Sequence, residues 1–192
     1  MVIHCTGDGD VAALAGEPFQ IGDPAHHSTQ AMTTMVKLFN VDFVQRKPYE
    51  LLALMEEGLK KDPDYKIEFS RGWVIDCPGG SSILQYVHVR GRTGTDAQDL
   101  IRAELEGRKR ALAAFNFLKE NVPGFGRASP GLIASQICVR ESRRIREEYY
   151  LTEDDIRSGR TFGFPNATFI CRFNIDIHHE DEDKQTVEHA SP

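Results

Sequence analysis

Three short runs carry residue types at spacings from which chemistry can be built. The first is Thr6-Gly7-Asp8-Gly9-Asp10, directly after the apolar run Val2-Ile3-His4-Cys5. Glycine admits positive φ and lets the backbone approach a ligand closely. A buried strand that breaks into such a turn aims amides at a phosphate, with an acid beside it for a ribose hydroxyl. On that reading Thr6, Gly7, Asp8 and Gly9 are the candidate binding residues. The same turn equally suits a plain tight bend or a calcium-binding loop. The full G-x-G-x-x-G fingerprint of dinucleotide-binding turns is absent from the chain.

The second run is Val139-Arg140-Glu141-Ser142-Arg143-Arg144-Ile145-Arg146. As a strand it puts Arg140, Ser142, Arg144 and Arg146 on one face. Glu141 and Arg143 then share the other face with Ile137 and Val139. An arginine on the apolar side needs a partner, and Glu141 is the nearby acid. Guanidinium groups at a pocket hold carboxylate or phosphate with two parallel hydrogen bonds; on a surface strand they form salt bridges only. The third run, Asp176-Ile177-His178, places an acid and an imidazole on one strand face, where the acid could orient a His used in proton transfer. The His and acid run from His178 to Asp183 offers no defined metal geometry, and neither does the His26-His27 pair, so no metal site is expected.

These runs need elements to position them. Val11 to Ala15 suits the first turn of a helix ended by Gly16-Glu17-Pro18, and Gly22 to Thr29 reads as a loop. Met32 to Phe43 is apolar and β-branched enough for a strand. Leu51, Leu52, Met55 and Leu59 recur at helical spacing between Pro48 and Lys61. Tyr65 to Val74 and Ile83 to Arg90 read as strands flanking a Cys77-Pro78-Gly79-Gly80 turn. A long helix follows, capped by Thr93 with Asp96 or by Thr95 with Gln98. Its expected buried stripe is Leu100, Ile101, Leu105, Leu112, Phe115 and Leu118, and Asn121-Val122-Pro123-Gly124 stops it. Ala134 to Ile145 alternates like a strand, and Thr152 to Asp155 opens a short helix that Gly159 ends. Thr168 to His178 alternates cleanly, whereas Glu180 to Pro192 is acidic, polar and expected to be disordered. Mixed strands with two good helices predict an α+β fold.

The chain has 192 residues, 40% of them hydrophobic, enough for an ordinary core. A net charge of −6 argues against a general nucleic-acid surface. No apolar run reaches the roughly 18 residues of a membrane span, and no secretory signal is visible at the N-terminus. The four cysteines, Cys5, Cys77, Cys138 and Cys171, form no C-x-x-C pair, so they read as buried free thiols in a reducing, cytoplasmic compartment.

Together these stretches resemble a known family. Val2–Ile21 (VIHCTGDGDVAALAGEPFQI) resembles the late nucleotide-contacting strand and turn of FAD-dependent oxidoreductases related to the heterodisulfide reductase A subunit, within the glutathione-reductase-like superfamily. Arg140–Ile156 (RESRRIREEYYLTEDDI) is similar to that family's R-E-[ST]-R-R-I-x-G-x-Y-x-L-T-x-x-D segment, and Asn174–His178 (NIDIH) to its D-I-H segment. Asp96–Gly124 matches the family's long helix in order. Cys5 stands where alanine is usual, and Glu147 replaces the usual glycine before the tyrosine.

The resemblance implies a flavin redox enzyme acting on a small, anionic substrate, with FAD as cofactor. It places a partial Rossmann-like remnant of the FAD domain at residues 1–30, a mixed-sheet substrate domain with two main helices at 31–178 and an acidic tail at 179–192. Arg140, Arg143 and His178 become pocket residues beside the flavin, and replacing Arg143 should lower turnover more than flavin content. With the opening turn at its very start, the chain is expected to be the later part of a longer protein and inactive alone. A second copy or another redox subunit is the expected protein partner, with no nucleic acid and no membrane. The alternative is a flavin-free module of the same fold that binds a ligand or partner without catalysis.

Overall fold

The computed structural model describes residues 2–24, 28–42, 53, 56–57, 60–61, 73–146, 149–150, 152–160, 173–178 and 185–190. Its centre is an antiparallel four-stranded sheet in the order β3-β4-β2-β5, formed by β2 (Met32–Phe39), β3 (Trp73–Cys77), β4 (Ser81–Val89) and β5 (Ser129–Ile133). Period-2 alternation sends Val36 and Leu38 of β2 inward and leaves Met35, Lys37 and Phe39 exposed. The β3–β4 hairpin turns at Gly79 and Gly80, whose φ values of 85° and 73° require glycine-like freedom. Helices accompany the antiparallel sheets, so the architecture is α+β, as expected.

One helix, α2 (Ala97–Asn121), packs against the sheet. Asp96 is its N-cap, accepting the Asp99 N–H at 2.8 Å. The hydroxyl of Thr93 instead bonds that of Thr95, at 2.9 Å. The buried face is Ala103, Gly107, Ala111, Ala114, Phe115, Phe117 and Leu118. This corrects the expected stripe: Phe115 and Leu118 are inside, but Ile101, Leu105 and Leu112 are 55%, 60% and 48% exposed. Close approach explains the choice of face. A Cβ on Gly107 would lie 3.3 Å from Ile137 Cδ1, so only the small-residue side can come this near the layer below. Val36, Leu38, Leu84 and Val87 meet Ala111, Ala114, Phe117 and Leu118 in the main core cluster. A smaller cluster joins Met32, Val89, Ala103 and Ile137. The helix ends at Val122, and Gly124, at φ 94°, leads the chain back past the Asp42 carbonyl.

Other expectations change. Val2 and Ile3 are 82% and 77% exposed and Val2–Thr6 is irregular, so the expected buried opening strand does not form. No described strand pairs with this segment, and an unpaired strand has no ladder to hold it. The expected strand from Ala134 to Ile145 is mostly loop: Cys138 makes an isolated bridge to Thr33, and only β6 (Arg143–Ile145) is extended. Among the described residues the thiols are free but not buried, with Cys5 and Cys138 exposed and Cys77 half-buried, while Cys171 lies outside them. Between Pro48 and Lys61 the described residues Ala53, Glu56, Glu57, Lys60 and Lys61 are helical and exposed, while Leu51, Leu52, Met55 and Leu59 lie outside the described residues. The Tyr65–Val74 strand expectation lies outside them up to residue 72, and β3 begins at Trp73.

Two peripheral units complete the chain. α3 (Glu153–Arg157) starts on a reciprocal cap, with Thr152 N–H donating to Asp155 Oδ2 at 2.9 Å and Asp155 N–H to Thr152 Oγ1 at 3.2 Å. β7 (Phe173–His178) pairs antiparallel with β8 (Gln185–Ala190). That pairing corrects the expected disordered tail over residues 185–190, because backbone pairing with the alternating β7 supplies an ordering term that composition does not register.

Candidate functional site

The opening turn and the arginine-rich run, 135 residues apart, come together. The link is a two-stranded antiparallel sheet of β1 (Phe19–Ile21) and β6, in register Phe19↔Ile145, Gln20↔Arg144 and Ile21↔Arg143. Arg146 N–H extends the pairing to the Pro18 carbonyl at 2.8 Å. The Gly7-Asp8 turn feeds α1 (Asp10–Leu14), which Gly16 closes at φ 90°, so the chain returns as β1 alongside β6.

Gly9 locks the turn. Its φ is +67°, and a Cβ there would stand 2.9 Å from Ile145 Cδ1 and 3.6 Å from Arg143 Cβ. Only glycine fits both the left-handed backbone and the contact. Gly9 is buried, whereas Thr6 and Gly7 are exposed, and nothing lies within 4 Å of a Cβ built on Gly7. The turn thus has one packed edge and one open edge. Thr6 on the open edge is braced by His4, whose Nδ1 lies 3.0 Å from Thr6 Oγ1 and accepts the Thr6 N–H at 3.3 Å.

Arg143 holds the packed edge. Its Nη1 donates to the Asp8 carbonyl at 3.0 Å and to the Asp10 carboxylate. Its Cζ sits 5.4 Å from the Phe19 ring centroid, a cation–π distance. The side chain is 16% exposed, and its Nε–H is buried without an acceptor among the described residues. The expected Glu141–Arg143 pair is therefore not made. Glu141 instead accepts Arg144 Nη1 at 2.7 Å and the Gln30 N–H at 2.9 Å. Arg144 also donates to the Gly22 carbonyl. The reason is register: with β6 only three residues long, Glu141 lies outside the alternation that would align it with Arg143.

Thr6, Gly7, Asp8, Gly9 and Arg143 are thus gathered in one place. Arg140 is exposed and precedes the β1–β6 pair. His178 ends β7, opposite Gln185, in a separate two-stranded sheet. Sequence reasoning missed Asp10, Phe19, Ile145 and His4. The second acid of the G-D-G-D run was the available signal for Asp10; the contact between Ile145 and Gly9 left none.

A further charged group follows β6 in the sequence. Asp155 is buried and accepts from Tyr149 Oη at 2.6 Å, Thr152 Oγ1 at 2.7 Å and Arg160 Nη1 at 2.9 Å. The Tyr149 hydroxyl first, then Thr152, holds the Asp155 carboxyl well below the usual carboxylate range. The same hydrogen bond, seen from Tyr149, raises the phenol, and Asp155 raises the Arg160 guanidinium.

The open edge over Gly7 leaves room for a group to approach the backbone. That opening fits a bound molecule rich in phosphate or hydroxyl oxygens. Among the described residues no group of three or more His, Cys, Asp or Glu is arranged to hold a metal, and no helix is long and apolar enough to cross a membrane. The family model for FAD dependent oxidoreductase matches residues 1–192. No curated protein and no solved structure matches the chain.

Proposed function

We propose that this chain, which belongs to the FAD dependent oxidoreductase family, uses the Thr6–Asp10 turn to hold part of FAD and takes part in electron transfer to or from a small anionic substrate. The observation that carries the reading is the meeting of turn and β6, with an open edge at Gly7. Flavin, when bound, supplies the redox centre. The chain's own residues do the rest. Gly7 admits close approach, Thr6 offers a hydroxyl, and Asp8 offers a carboxylate for hydroxyl groups. Arg140 and His178 are the proposed substrate-side residues, Arg140 as an anion-binding guanidinium and His178 as a proton carrier with Asp176 on the same strand face. The kinship with heterodisulfide reductase A-like flavoproteins, the Rossmann-like character of residues 1–30 and the cytoplasmic location are parts of the same proposal.

The visible spectrum of the purified full-length protein is the direct check. The expected outcome is flavin absorbance that follows the protein and is released on denaturation. A protein without flavin that gains none from added FAD would leave the non-catalytic ligand-binding module as the better account.

A further inference from the structure

We infer that Arg143 is a positioning residue for the cofactor turn, acting through Asp10, and that this ion pair makes FAD binding depend on β6. The inference rests on the proposed FAD reading of the Thr6–Asp10 turn. It reverses the expectation that Arg143 serves the substrate.

Arg143 Nη1 is shared between the Asp8 carbonyl, inside the turn, and the Asp10 carboxylate, at the first residue of α1. One guanidinium nitrogen therefore fixes two residues that flank Gly9. Behind it, the Ile145 side chain fills the space that a Cβ on Gly9 would need. Phe19 stands over the guanidinium from β1, and β1 is itself paired to β6. Three elements, the turn, β1 and β6, thus converge on one side chain. The arginine is mostly buried and Asp10 is 58% exposed, so Asp10 can be altered without opening a core cavity. A turn built on glycines samples many backbone states when released, and ligand affinity falls by the fraction of time the competent shape is lost. An arginine that merely touched the cofactor would act without Asp10. An arginine that shapes the turn requires it.

The test is a double-mutant cycle on FAD affinity in the full-length protein, read by flavin fluorescence, with the apo-protein melting temperature measured beside it. Arg143→Ala and Asp10→Asn should each weaken FAD by about tenfold, and the double variant should be no weaker than the worse single one. Arg143→Lys should restore part of the affinity, because it keeps the charge and loses the fork. Arg102→Ala, on the exposed side of α2, should match wild type. If Arg143→Ala fails to fold, Asp10→Asn and Arg143→Lys carry the decision. Asp10→Asn binding FAD like wild type, or losses that multiply independently, would overturn the inference alone. A lower apo melting temperature with unchanged affinity also overturns it, as a purely structural clamp. A wild-type protein that takes up no FAD overturns both this inference and the function it rests on.

Discussion

Gly7 and Gly9 sit two residues apart and meet opposite surroundings, so the same substitution should do different things at each. Gly9→Ala forces an L residue into φ +67° against Ile145, which costs about 1–2 kcal/mol for the backbone alone. The melting temperature should fall by several degrees on thermal denaturation, about 2–4 °C per kcal/mol in a chain this long. Gly7→Ala meets nothing within 4 Å; it should melt like wild type yet bind FAD more weakly if that edge receives the cofactor. At Asp155 the expectation concerns pH. Its folded carboxyl titrates below the ordinary unfolded value of about 3.9, so the folded state favours the ionised form. Its stabilising contribution is complete above the unfolded value and is lost as pH falls through the folded one. Asp155→Asn should therefore melt lower than wild type at neutral pH, with the gap closing in strong acid. At this scale the sequence was partly legible. G-D-G-D and R-E-S-R-R-I announced themselves as a turn and a charged strand, but which acid met which arginine depended on a three-residue strand length that no local pattern encodes.

Elements were more legible in extent than in orientation. The long helix runs from Ala97 to Asn121 between the expected stop and start signals, and the short one opens on the expected Thr152 box. The face that α2 buries was misassigned because hydrophobicity favoured Ile101, Leu105 and Leu112, while the helix approaches the sheet on Ala and Gly. Close packing prefers the smaller side. The consequence is measurable by denaturant unfolding. Leu105→Gln, on the exposed face, should change stability by no more than about 0.5 kcal/mol. Ala114→Leu, fully buried against the sheet, should cost about 1–3 kcal/mol through overpacking. Had Ile101, Leu105 and Leu112 formed the seam, the order of these effects would invert. The β7–β8 pair was half legible: alternation marked β7, whereas polar composition masked the strand Gln185–Ala190. Backbone pairing across a sheet can order a segment whose side chains alone would not.

Across the whole molecule, an antiparallel sheet with α2 on it forms the main core, and the arginine-rich segment after β5 reaches back to organise the first thirty residues. Glu141 holds the Gln30 amide, Arg144 the Gly22 carbonyl, Arg143 the turn at Asp8 and Asp10. This long-range staple brings together two motifs, the opening turn and the arginine-rich run, that are far apart in the sequence. The α+β class was legible in the mix of strand and helix patterns, and the FAD dependent oxidoreductase family in the combined motifs; the staple was not, because contacts between residues 135 positions apart are set by tertiary packing. The decisive experiment is a titration of the full-length protein with FAD followed by flavin fluorescence, comparing wild type with Asp10→Asn. Wild type should bind saturably and stoichiometrically, and the variant about tenfold more weakly. Absence of saturable binding would rule out the FAD site, and equal affinity in the two proteins would rule out the role given to the Arg143–Asp10 pair.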